Sequence, residues 1–80
     1  MLKVSVISPE AVLFEGEAQM VVAPAFDGEV GILTGHAAMV TTLGAGVVRL
    51  SDGQRFAVHG GFLQVADNAV RVVTEKASKA

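Results

Sequence analysis

The 80-residue sequence has no cysteine, tryptophan or tyrosine, only two prolines, and just six lysines and arginines. Without cysteine there is neither a disulfide framework nor a thiolate zinc site, so packing alone must hold the fold. The basic residues are scattered from Lys3 to Lys79 and the net charge is −2, so no basic stripe exists to neutralise phosphates. That argues against a nucleic-acid partner. No run approaches the roughly 18 consecutive apolar residues of a membrane span, and the N-terminus lacks a charged region followed by an apolar one. The expectation is a soluble, non-exported protein.

What is present is apolar. The chain is 51% hydrophobic and 18% charged, which describes one small globular domain rather than a disordered segment. Charge is uneven along it. Residues 1–40 carry one basic group (Lys3) against five acids (Glu10, Glu15, Glu17, Asp27, Glu29), a net of −4, whereas residues 41–80 carry five basic groups against three acids, a net of +2. Acids of this kind are usually solvated, but an acidic half also suits a basic partner surface.

Period-two alternation recurs throughout. Leu2, Val4 and Val6 alternate with Lys3, Ser5 and Ile7 and stop at Ser8-Pro9. Similar short runs cover residues 12–14, 19–23, 30–33, 39–43, 47–50, 55–59, 62–66 and 70–74, each bounded by Gly, Pro, Asp or Asn. The pattern predicts an all-β sandwich or barrel over residues 1–75. Asp52-Gly53 and Asp67-Asn68 each fit the positive φ of a primed two-residue hairpin turn. No window of eleven residues has the spacing of an amphipathic helix. Residues 75–80 are fair helix formers, but six residues are too few for an isolated helix, so the tail, residues 76–80, is expected to fray.

The most particular segment is Asp27-Gly28-Glu29-Val30-Gly31-Ile32-Leu33-Thr34-Gly35-His36, where three glycines, two acids and a histidine fall within ten residues. It reads either as a turn-rich β corner or as a loop presented to a partner. Catalytic and metal chemistry find little support. His36 and His59 lack any zinc-binding spacing; His59 is expected to be buried or at a rim with its needs met by backbone, and His36 exposed. No Gly-x-Ser-x-Gly elbow surrounds Ser5, Ser8, Ser51 or Ser78. Glu15 and Glu17 flank Gly16 as a solvated strand edge. Gly44-x-Gly46 lacks a third glycine, since Arg49 stands there, and no helix follows to hold a pyrophosphate. A biotinyl- or lipoyl-like carrier would display a lysine at a hairpin tip, whereas the lysines here, Lys3, Lys76 and Lys79, lie near the termini. An interaction module remains.

The run from Asp27 to His36, followed by Ala37-Ala38-Met39-Val40-Thr41-Thr42-Leu43, closely resembles the epsilon subunits of F-type ATP synthases. Ser8-Pro9-Glu10 with Leu13-Phe14-Glu15-Gly16 resembles the family's opening, Gly44-Ala45-Gly46-Val47-Val48-Arg49-Leu50 its middle strand, and Gly60-Gly61-Phe62-Leu63-Gln64-Val65 with Asn68-Ala69-Val70 its last hairpin. The resemblance spans nearly the whole sequence in order. It implies a ten-stranded, two-sheet β sandwich with no substantial helix, acting as a non-catalytic part of the central stalk. Its partners would be the gamma subunit and the c-subunit ring, with no cofactor and no small-molecule substrate. Its place would be peripheral to the cytoplasmic face of the bacterial plasma membrane. By the same resemblance Gly28, Glu29 and Val30 face the c ring. Ser8, His36 and Thr41 face gamma, and Met39, Val40 and Leu43 are expected as apolar anchors on that side.

The sequence departs from the family pattern at Thr34, where proline usually precedes Gly-His, so the corner loses a fixed φ and gains a hydroxyl. Typical members also continue past the sandwich into a two-helix hairpin with an inhibitory role and, in some, an ATP site. The sequence ends at Ala80, so neither function is expected to carry over.

Overall fold

A computed structural model describes residues 1–80. Ten strands and no helix make up the fold: β1 (Leu2–Ile7), β2 (Val12–Ala18), β3 (Met20–Ala25), β4 (Gly28–Leu33), β5 (Met39–Thr42), β6 (Gly46–Leu50), β7 (Arg55–His59), β8 (Phe62–Ala66), β9 (Ala69–Val73) and β10 (Lys76–Lys79). They form two five-stranded sheets, ordered β2-β1-β9-β8-β5 (sheet 1) and β10-β7-β6-β3-β4 (sheet 2). This is the ten-stranded, two-sheet sandwich that the resemblance implied.

Alternation decides which side chains fill the space between the sheets. Leu2, Val4 and Val6 of β1, Leu63 and Val65 of β8, and Val70 and Val72 of β9 turn inward from sheet 1, meeting Val21, Ile32, Val48, Phe56 and Val58 from sheet 2. A core of 16 buried side chains results. Phe56 is its largest member, and the ring of Phe14 tilts against it at 5.7 Å between centroids. Pairing is antiparallel except between β1 and β9, which lie parallel from Lys3↔Ala69 to Ile7↔Val73.

The two predicted hairpins fare differently. Asp67 and Asn68 both take positive φ, +50° and +62°, between Ala66 and Ala69, as a primed two-residue turn requires. At Asp52-Gly53 only the glycine does so, and the connection is four residues long, closed by Leu50 N–H donating to Gln54 O at 2.9 Å. The Asp52 carboxylate stabilises this longer loop by accepting from Gln54 N at 3.0 Å and Gln54 Nε2 at 2.9 Å. These bonds hold the Asp52 carboxyl below its ordinary value of 3.8.

The tail does not fray. Lys76–Lys79 pairs antiparallel with β7, from Lys76↔His59 to Lys79↔Phe56, and Ala80 N–H donates to Arg55 O at 2.9 Å. The length rule for isolated helices does not govern a segment that completes the open edge of an existing sheet. Thr74 guides the chain from sheet 1 into sheet 2. It is buried, its hydroxyl donates to Lys76 O at 2.9 Å and accepts from His59 N–H at 3.3 Å, and its N–H donates to Ile7 O at 2.9 Å. One crossing in the opposite direction, from β7 to β8, is made by Gly60-Gly61, with φ of +76° and +101°. His59 itself is exposed at the end of β7, so of the buried or rim positions expected for it the buried one is excluded.

Candidate functional site

The β3–β4 hairpin presents the acidic corner. Gly28 opens β4 with φ +128°, and alternation then sends Glu29 outward from sheet 2 and Val30 inward, where it packs on the core. Glu29 is 60% exposed and Arg49 of β6 46% exposed, and Arg49 Nη2 reaches both carboxylate oxygens at 3.2 and 3.3 Å. Phe26, at the hairpin tip, is 74% exposed while its N–H donates to Thr42 O at 3.2 Å, so the tip is tied to the end of β5.

At the other end of β4, Leu33-Thr34-Gly35-His36 forms a β-turn. His36 N–H donates to Leu33 O at 3.0 Å and Gly35 takes φ +86°, the signature of a type II turn with Thr34 at its second position. Gly35 N–H donates to the Asn68 side chain at 2.7 Å, docking this turn on the β8–β9 hairpin. His36 is half-buried rather than exposed, and its Nδ1 lies 2.7 Å from Ala37 O. As a hydrogen bond, that contact needs the proton on Nδ1.

The residues expected to meet one partner are thus divided. Ser8 sits beyond the end of β1, half-buried, with its hydroxyl engaged in the turn to Ala11 at 3.2 Å. By register Ile7, Val73, Phe62 and Thr42 lie side by side, so Ser8 belongs to the Thr42 end of sheet 1 and His36 to the Met39 end. Thr41 and Met39 are half-buried on the inward side of β5, with Met39 packed on the core, while Val40 points outward and is 69% exposed. Leu43 is 3% exposed and belongs to the core, which corrects its reading as an interface anchor.

A feature that the sequence reading missed is the outer face of sheet 1. Val12, Ile7, Val73 and Phe62 are register neighbours across β2, β1, β9 and β8; Thr42 stands beside Phe62 on β5, and Val40, opposite Gln64, lies diagonal to it two residues along that strand. Val12 is 55% and Phe62 43% exposed, with Ile7 and Val73 half-buried between them, so a partly exposed apolar row crosses the outer face of the sheet. The signal was in the sequence: Phe62-Leu63 and Val72-Val73 are apolar at adjacent positions, which a strand with one wet face does not need. Arg49 and Phe26 were also missed as members of the Glu29 corner. The hairpin tips carry Asp67-Asn68 and the Ser51–Gln54 loop, so no tip offers a carrier lysine.

Residues 1–80 match the model of the ATP synthase delta/epsilon chain β-sandwich domain over their full length. The chain belongs to that family. An ATP synthase epsilon chain of Leptospira interrogans is 42% identical over 77 residues, 92% of this chain and 61% of the relative. One of Desulforamulus reducens is 41% identical over 81 residues, 98% of this chain and 61% of the relative. The chain therefore spans about three fifths of the length of these curated relatives. Among solved structures, a chain of the Euglena gracilis mitochondrial ATP synthase (OSCP/F1/c-ring) superposes with a TM-score of 0.87 at 23% identity, covering 98% of this chain and 52% of that one. A chain of the Tetrahymena thermophila central stalk/c-ring assembly gives 0.76 at 17% identity, covering 96% and 65%. At such identities the structural likeness speaks for the fold, and the family's sandwich is what both share.

Proposed function

We propose that this domain is a non-catalytic stalk element of an F-type ATP synthase, docked between the gamma subunit and the c ring and helping to couple ion-driven rotation to ATP synthesis. The observation that carries the reading is the apolar row of Val12, Ile7, Val73 and Phe62 on the outside of sheet 1, with the exposed Val40 diagonal to Phe62 on β5. A contiguous exposed apolar patch on a small domain marks an interface, and its area supplies the affinity that exposed charges do not. Gamma is the partner assigned to this face, with Ser8 at the Thr42 end of sheet 1 and with Thr41 and His36 beside it, on and before the edge strand β5. The Glu29 corner, with Gly28, Val30 and the exposed Phe26 ring, meets the polar loops of the c ring. In bacteria this places the domain at the cytoplasmic membrane surface through the complex rather than through lipid.

The test is binding of the folded chain to a purified gamma–c-ring assembly. Val40→Asp combined with Phe62→Ser removes two exposed apolar anchors and is expected to weaken binding at least tenfold, about 1.4 kcal/mol or more. The melting temperature of the isolated domain stays within a few degrees, because neither side chain belongs to the core. Unchanged binding with this pair replaced refutes the assignment of the face.

A further inference from the structure

Arg49 reaches Glu29 across an intervening strand. Glu29 pairs with Pro24 and Arg49 with Val22, so β3 lies between them, and the guanidinium spans the outer face of sheet 2 to place Nη2 at 3.2 and 3.3 Å from the two carboxylate oxygens. Both groups are about half exposed. Exposed ion pairs contribute little to folding, since water competes for both charges and two long side chains must be immobilised. Folding therefore gives a weak reason for the contact. Placement gives a stronger one. A glutamate on a hairpin edge next to a positive-φ glycine has free rotation about three bonds, and a partner that uses its carboxylate must first stop that rotation.

We propose that Arg49 is a positioning residue for Glu29: it holds the carboxylate in one orientation over sheet 2, so that the partner's polar loop meets a preset acceptor. The inference rests on the c-ring role of Glu29 proposed above. Both oxygens are satisfied by a single nitrogen, which leaves lone pairs on each for donors of the partner. Arg49 acts here through Glu29, and it is in a different sheet position from the apolar row on sheet 1, so it bears on one contact only.

The experiment is a double-mutant cycle on the full chain, read by its affinity for a purified gamma–c-ring assembly, together with the side-chain scalar couplings of Glu29 by NMR on the chain alone. Arg49→Met is expected to lose about 2- to 10-fold in affinity, the range set by immobilising one rotamer-rich side chain. Glu29→Gln with Arg49→Met is expected to bind no worse than Glu29→Gln alone. Arg49→Lys restores part of the loss, and the Glu29 couplings move toward rotamer averages in Arg49→Met but not in Arg49→Lys. Additive losses overturn the proposal, because Arg49 then contacts the partner independently. Tighter binding in Arg49→Met overturns it too, because the pair then withholds the carboxylate. If Glu29→Gln binds like the native chain, the c-ring assignment of Glu29 fails and this inference fails with it, whereas a Glu29 effect without an Arg49 effect sinks only the latter.

Discussion

Gly61→Ala is the substitution for which the fold makes its sharpest demand. Gly61 carries the chain from β7 in sheet 2 to β8 in sheet 1 with φ +101°, and its backbone lies directly against β9. A methyl group built there falls on the Val73 carbonyl oxygen and stands 2.7 Å from Thr74 Cα. Thr74 has little room to yield, because it is 2% exposed, its N–H is bonded to Ile7 O, and its hydroxyl joins Lys76 O to His59 N–H. Positive φ at a residue with a Cβ costs about 1–2 kcal/mol, and forcing a backbone shift in packed structure about 1–3 kcal/mol. Loosening the Thr74 bonds adds about 1 kcal/mol. The sum is about 3–6 kcal/mol, against a total of about 4–12 kcal/mol for a domain of this length.

At roughly 4–8 °C per kcal/mol, Gly61→Ala should lower the melting temperature by more than about 12 °C, measured by circular dichroism, or leave the chain unfolded at 25 °C. Gly31→Ala is the matched control, since no atom lies within 4 Å of a methyl group there and its φ is ordinary. It is expected to stay within about 0.5 kcal/mol of the native chain. A Gly61→Ala variant that melts within about 5 °C of the native chain refutes the close packing of the β7–β8 crossing on β9.

Thr34→Pro should stabilise the domain by about 0.4–1 kcal/mol, raising the melting temperature by about 2–8 °C, because Thr34 sits at the turn position that favours proline and its N–H makes no backbone bond; a fall shows that the turn needs the freedom threonine leaves it. Asp52→Asn should be distinguished from the native chain by pH. The Asp52 carboxyl is held below its ordinary 3.8 by Gln54, so its contribution is present above that value and lost as pH falls through the lowered one. The native advantage in melting temperature should therefore be constant from pH 7 to about 5 and shrink below about 4, and an advantage that grows on acidification contradicts the loop geometry.

The fold was legible where a residue's demand is local. Inward Val4 and outward Lys3 follow from period two, and Asn68 tolerates the left-handed backbone that a primed turn imposes. It was illegible where the deciding partner is remote in sequence. Asp52-Gly53 looks like the same kind of turn, but the Asp52 carboxylate captures Gln54 and draws the loop out to four residues. The tail reads as weak helix in isolation, yet β7 offers it an open edge. Leu43 reads as an apolar anchor for a partner, but it bridges to Ala25 and closes the space between the sheets at the end of β5. Glu29 was visible as a presented acid; the arginine 20 positions away that holds it was visible only once β3 was placed between them.

The arrangement of the two candidate contacts follows from the sandwich itself. The apolar row lies on the outside of sheet 1 and the Glu29 corner on the outside of sheet 2, so the core separates them. Two partners can then be held at once without competing for surface. The link between the faces is stiff, since every strand but the edges is bonded on both sides and the inward residues interlock without a helix or long loop to flex. Two of the five places where the chain crosses between sheets are tightly pinned, at Thr74 by three hydrogen bonds and at Gly61 by backbone contact. A module that passes load from one partner to another needs such fixed crossings, because any slack there would let one sheet move while the other stayed behind. On this reasoning Gly61 and Thr74, far from either surface in chemistry, serve the proposed coupling role as directly as the side chains that touch the partners.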